Sequence, residues 1–251
     1  MRLTSLALAA TLLFPFSAQA ADAHSLLAAS RQRLQTADYR VSGHLVKIDA
    51  RGTRSSYGIN IKARWFPGVL RVLIEVVSPS EARTHILLEM RPEGKNIVQI
   101  AHPGDEAPVT LPFDKWDEGL LGTAFSYEDL LEAQYFWQGQ KLLEKAKFGA
   151  RDCDIVMSTP GSADKTHYSQ VKTWLDHGIG FPVYVEKTLK GGDVKEFTSF
   201  GLRQNGGVWS ASQIEVKIHG KAGSSLLIFD RGTPKANLSL KDFSLSQLTQ
   251  F

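Results

Sequence analysis

Few side chains in this chain have the type and spacing that chemistry needs. The seven histidines are His24, His44, His85, His102, His167, His177 and His219. None forms an H-x-H or H-E-x-x-H pattern, and none has a second histidine three or four residues on, so a histidine metal site is not expected. No G-x-S-x-G turn presents a serine nucleophile. Gly94-Lys95 lacks the earlier glycine and the following Ser or Thr of a phosphate loop. Glu128 and Asp129 are adjacent acids, a pairing that could suggest acid–base work. On a helix, however, neighbours point apart, and both acids suit the positive end of a helix dipole, so their expected role is structural. Cys153 is the only cysteine, so no intramolecular disulfide can form. Lying between Asp152 and Asp154 with no cation directly beside it to lower its pKa, its thiol is expected to be buried and inert. No catalytic residue, metal or cofactor is assigned, and the chain is not expected to be an enzyme.

The 251 residues carry a formal charge of +3, with Lys and Arg scattered among acids. Nucleic acid as a partner would call for a basic stripe with interleaved aromatics, which is not present. Arg2, the apolar run Leu6 to Phe16 and the Ala18-Gln19-Ala20 triplet together read as a signal peptide over residues 1–20. The run is too short to span a bilayer. No cysteine follows the cleavage site, so the chain from residue 21 to 251 is expected to be exported without a lipid anchor and to be periplasmic, soluble and monomeric.

The elements follow from periodicity. Asp22 to Gln35 reads as a helix with one narrow stripe of Leu26, Leu27, Ser30, Arg31 and Leu34. From Tyr39 the period changes to two. Tyr57, Ile59, Ile61, Ala63 and Trp65 alternate with Gly58, Asn60, Lys62 and Arg64, which predicts a strand with one apolar face. Pro67-Gly68 turns the chain, and Leu70, Val72, Ile74 and Val76 form the returning face. Thr84 to Met90 and Asn96 to Ala101 continue the meander. Pro103, Gly104, Pro108 and Pro112 break the stretch from His102 to Trp116. Ser126 followed by acids predicts a helix start, close to a capping box with Asp in place of Glu. Beyond Gly139 two readings fit: a hairpin of Lys141 to Phe148 and Asp152 to Ser158 around Gly149, or a helix continuing to Lys147. Further strands are expected at Tyr168 to Leu175, Val183 to Leu189, Val194 to Arg203, Val208 to His219 and Ser224 to Phe229. The sum is about ten or eleven strands in one domain, a mainly β chain with short helices whose antiparallel sheet curls.

Aromatics concentrate in the first half and around the irregular centre: Trp65, Phe66, Phe113, Trp116, Phe125, Tyr127, Tyr135, Phe136 and Trp137. They could be an ordinary core. A sheet this wide could also leave its concave face unfilled and hold a cavity.

The segment Leu121-Gly122-Thr123-Ala124-Phe125-Ser126-Tyr127-Glu128-Asp129-Leu130 resembles the G-S-D-F-S-Y-E-D-L signature of the bacterial outer-membrane lipoprotein-sorting proteins, the LolA-like family. Other stretches agree in order: Gly149 to Cys153 with Pro160, Val171 to Asp176, Pro182 and Glu186, Gly207-Val208-Trp209, then Asn237-Leu238, Phe243 and Leu248. Thr123-Ala124 departs from the usual Ser-Asp and loses one acid. The resemblance implies an unclosed antiparallel β-barrel with a helical lid over an apolar cavity for acyl chains. It also implies an inner-membrane transporter as donor and an outer-membrane acceptor. The cavity is expected to be lined by Ile59, Ile61, Trp65, Leu70, Val72 and Ile74, with Phe125 and Tyr127 at the lid. Arg40, Arg64 and Arg71 are candidates for a cavity arginine of the kind the family uses, and no local motif selects one. Burial of a dozen methylenes is worth on the order of 10 kcal/mol, at about 0.8 kcal/mol each, enough to keep a lipid tail out of water. The function expected is a periplasmic carrier or chaperone for lipoproteins or other acylated lipids. The alternative is a periplasmic sensor of the same fold that detects lipids or mislocalised proteins.

Overall fold

The computed structural model describes residues 22–251 apart from Gly206 and Arg231, so the signal expected at 1–20 lies outside the described residues. Helical residues 22–26 lead into α1 (Ala28–Gln35), and the buried side is Ala23, Leu27, Ser30 and Leu34. That is the i, i+4, i+7 stripe the spacing predicts.

The period-two stretch forms a meander of long strands: β1 (Asp38–Ile48), β2 (Arg54–Phe66), β3 (Val69–Ser78), β4 (Thr84–Met90), β5 (Ile97–Ala101) and the short β6 (Val109–Thr110). Register puts Ile59 opposite Val76, Ile61 opposite Ile74 and Trp65 opposite Leu70, so the two apolar faces read from alternation are one face. Gly68, at the tip of this hairpin, has a φ of 79°, a conformation that glycine adopts freely.

The second meander is β7 (Gly139–Phe148), β8 (Arg151–Thr159), β9 (Tyr168–Asp176), β10 (Pro182–Leu189) and β11 (Val194–Phe200). A small hairpin of β12 (Arg203–Asn205) and β13 (Val208–Ser210) follows, then β14 (Gln213–Ile218), β15 (Ser224–Phe229) and β16 (Thr233–Pro234). Residues after Gly139 are therefore strand, and the helical alternative is excluded. The sixteen strands among the described residues exceed the ten or eleven expected. Two long segments are split where backbone pairing changes direction. One break is at Gly201, whose φ is 59°. The other is at Ser212, whose amide bonds Phe200 while its carbonyl takes Phe229.

The main sheet runs β6-β5-β4-β3-β2-β1-β15-β14-β11-β10-β9-β8-β7, with β16 added to β1. Each neighbouring pair is antiparallel. Its ends, β6 and β7, do not pair with each other among the described residues, so the barrel is unclosed. A sheet this wide must curl. The two meanders are its wings, and β1 with β15 is the seam between them. At the seam a Cβ on Gly43 would stand 2.1 Å from the Ile228 carbonyl oxygen, so no larger residue fits without moving the strand.

The sheet is covered on both sides. On its inner side lies the main core, to which α1, both wings and residues 111–137 contribute. Outside the first wing, Leu73, Leu87 and Ala101 pack against Leu238, Phe243 and Leu248 of the C-terminal segment, which contains α2 (Leu245–Leu248). This two-sided burial explains why all seven residues of β4 are buried. Outside the second wing, Cys153, Phe181 and Val183 pack against Ala211 and Trp209 beside the small hairpin. Burial raises the pKa of the Cys153 thiol, in keeping with an inert side chain.

Candidate functional site

Between β6 and β7 the chain crosses the concave side as a lid made of four short 3-10 turns: Phe113–Lys115, Leu120–Gly122, Glu128–Leu131 and Ala133–Tyr135. The helix expected from Ser126 lasts a single turn. Its start is as expected: Ser126 N–H and Oγ donate to Asp129 Oδ2 at 2.8 and 2.9 Å, and the Asp129 amide donates back to Ser126 Oγ. It stops because Glu132 is left-handed, with φ 49°. The Glu132 carboxylate is held there by Arg33 of α1 at 2.8 Å. Tertiary ion pairs thus override the helical propensity of the segment.

Beneath the lid is a small apolar space. Ile59, Ile61 and Ile74 come from the first wing, Leu45 and Leu227 from the seam, and Leu120, Phe125 and Leu130 from the lid. Its volume is about 20 Å³. That is room for about one water, and with no polar lining the space stays dry. No acyl chain fits while the lid is down.

The residues expected to line a cavity therefore divide. Ile59, Ile61, Ile74 and Phe125 meet around this space. Leu70 is buried in the same core a little further along. Trp65, Val72 and Tyr127 are half-buried at its margin, where Trp65 stacks on Phe136 at 6.0 Å. The three arginines lie elsewhere. Arg64 and Arg71 lie on the opposite face of their strands and hold the outer layer: Arg64 donates to the Leu238 carbonyl, and Arg71 pairs with Glu89 at 2.8 Å. Arg40 pairs with Asp242 at 2.7 Å. None of the three points into the interior, because the alternation that turns Ile61 and Leu70 inward turns Arg64 and Arg71 outward.

Two lysines do face inward, Lys187 of β10 and Lys195 of β11, which stand directly opposite each other in register. Both are buried, with side chains 4% and 6% exposed. Asp129 lies between them, its Oδ2 2.8 Å from Lys195 Nζ and its Oδ1 3.3 Å from Lys187 Nζ. Tyr168 Oη donates to Asp129 Oδ1 at 2.5 Å. Burial opposes a charge on Asp129, but the two lysines and the Ser126 amide overcome it and hold the carboxyl far below the usual carboxylate range. Burial and the Asp129 charge together push the Tyr168 hydroxyl up. Glu128 points the other way, accepting from Thr166 Oγ1 and the His167 amide, with its Oε2 2.8 Å from His167 Nδ1.

The dipole role expected for these acids is thus replaced by a stronger one. Each ties the lid to a different part of the second wing. Lys187 and Lys195 escape a reading of the sequence because strand register is needed to bring them together. The available signal was a lysine interrupting the apolar face of Val185 and Leu189.

No curated protein sequence matches the chain. A family model described as "-like: Uncharacterized protein" matches residues 70–250. The chain belongs to that family. Solved structures show which fold it shares. A putative outer membrane lipoprotein-sorting protein domain from Vibrio parahaemolyticus superposes with a TM-score of 0.83 at 18% identity, over 92% of this chain and 100% of the other. A DUF1329 family protein from Desulfovibrio piger gives 0.83 at 15% identity, over 92% and 99%. A LolA superfamily protein from Nitrosomonas europaea gives 0.69 at 15%, over 90% and 99%. The chain shares the fold of these three structures, an unclosed antiparallel β-barrel of the kind the Phe125 to Leu130 resemblance implies.

Proposed function

We propose that this protein is a periplasmic carrier that takes up acyl chains of lipoproteins or other lipids beneath its lid and passes them toward the outer membrane. Residues 21–251 act as one lipid-binding domain, exported by the leader at 1–20. The observation that carries this reading is the make-up of the interior: an apolar concave face covered by a lid of short turns rather than by regular structure. Such a lid can be displaced without breaking any strand pairing, and an acyl chain can then take the place of Phe125 and Leu130. Ile59, Ile61, Ile74 and Leu70 line the acyl site, with Trp65, Val72 and Tyr127 at its mouth. One protein that shares the fold is described as a putative outer membrane lipoprotein-sorting protein domain, which supports the choice of cargo. An inner-membrane transporter as donor and an outer-membrane acceptor complete the proposed route. The role is binding, not turnover.

Native mass spectrometry of the purified protein, together with competition by a fluorescent acyl-chain probe, tests this. Bound lipid and saturable probe uptake are expected, and the Ile61→Glu variant, which puts a carboxylate into the apolar floor, should lose the probe while still being exported. A protein that never carries lipid and does not take up the probe would refute the carrier.

A further inference from the structure

Two lysines directly opposite each other in neighbouring strands repel, and burying both raises the cost. Here Lys187 and Lys195 share one carboxylate, Asp129. The neighbouring acid, Glu128, is taken by Thr166 and His167. Within this three-residue cluster, two ammonium groups against one carboxylate leave a formal charge of +1.

This cationic spot adjoins the apolar space. Phe125, which lines the space, meets Phe197 edge-on with ring centres 6.0 Å apart. Lys187 Nζ in turn lies 4.8 Å from the centre of the Phe197 ring. The lid therefore presents Phe125 and Leu130 to the apolar space and Asp129 to the lysines. That is the layout of an anionic amphiphile, written in peptide.

We propose that Lys187 and Lys195 form the head-group site for a lipid whose head is a phosphate monoester or similar anion, and that Asp129 fills this site when the lid is closed. The inference rests on the carrier reading, since it needs the lid to yield to a chain. A ligand of this kind replaces both parts of the lid at once: its tail takes the place of Phe125 and Leu130, and its head takes over from the carboxylate, which moves into water. A neutral lipid can offer the tail alone, so its entry leaves two buried lysines without a counter-ion. The difference between the two ligands is the source of selectivity. A doubly charged phosphate also balances both lysines, which Asp129 does not.

The test measures binding of dodecyl phosphate, dodecanol and inorganic phosphate to the full chain below micellar concentrations, with the Lys195→Met variant beside the wild type. That variant removes the excess charge and leaves Asp129 with Lys187, Tyr168 and Ser126, and its melting curve checks that it folds. Dodecyl phosphate is expected to bind at least about tenfold more tightly than dodecanol, and Lys195→Met to erase the difference. Inorganic phosphate alone should neither bind nor compete. Equal affinity of the two dodecyl compounds for the wild type overturns the head-group site and leaves the carrier standing, and that comparison needs no variant. A preference that survives in Lys195→Met overturns it as well. Binding of inorganic phosphate on its own would make this a free-anion site and overturn the proposal. Failure of both dodecyl compounds to bind overturns the carrier reading together with the inference.

Discussion

The two wings of the sheet hold the lid by different physics. The first wing meets it through aliphatic side chains such as Ile59, Ile61 and Ile74, which any apolar group of similar size could replace. The second wing meets it through Asp129 on Lys187, Lys195 and Tyr168, and through Glu128 on Thr166 and His167, contacts that depend on direction and charge. Apolar contact is exchangeable, whereas a buried ion cluster accepts one geometry. The second wing therefore sets where the lid sits, and the first wing provides the surface on which an occupant could replace it.

The sharpest way to break this contrast is at Asp129. Asp129→Ala leaves two opposed lysines buried without their carboxylate and should cost about 3–5 kcal/mol, read as a lowered denaturation midpoint. A loss under about 1 kcal/mol would mean that the ions do not hold the lid. Next comes Leu73→Ala, on the outer side of the first wing, where Leu73 is fully buried against the C-terminal segment. It should cost about 3 kcal/mol through the cavity it leaves, with acyl-probe affinity unchanged. Altered probe affinity would show that the outer layer is coupled to the interior.

Acidification probes the ion cluster of the lid without removing a side chain. Because the Asp129 carboxyl titrates lower in the folded than in the unfolded chain, its contribution is complete above the ordinary carboxylate value of about 4 and is lost progressively as pH falls below it. Asp176 and Asp242 are also lowered and add to the same slope. Urea midpoints of the wild type should therefore fall below about pH 4 more steeply than those of Asp129→Asn. Parallel slopes would remove Asp129 from the account. The smallest effect is expected at Ser126→Ala, which deletes the capping hydroxyl and should cost about 1 kcal/mol. A neutral result there would show that the turn is held by its acids alone.

The first wing was legible because its information is local. The turn at Pro67-Gly68 and the alternation of Ile59, Ile61 and Trp65 against Leu70 and Ile74 predict both the hairpin and its shared face. Thr84 to Met90 and Ser224 to Phe229 coincide with β4 and β15, since turn residues bound each of them. The lid was less legible. Its capping residues are local and predict where the turn starts, but what stops the helix is the Glu132–Arg33 pair, 99 residues apart in the chain. The lysine pair depends on the register of β10 and β11, which alternation does not encode. The arginines failed for the opposite reason: their strands were known, and alternation already placed Arg64 and Arg71 on the outer face.

The seam has a consequence for how the chain reaches this structure. Each wing is a run of hairpins between sequence neighbours and can form early, whereas Ser42 and Asp230, which bond across the seam, are 188 residues apart. Joining the wings is thus the slow, late event, and until it happens two wide apolar faces are open to solvent and to other chains. Refolding should show rapid strand formation followed by a slower phase, and Gly43→Ala, which obstructs the close approach of β1 and β15, should retard the slower phase alone. The apolar faces to which the proposed function assigns a lipid are the ones that make the half-joined chain prone to aggregation.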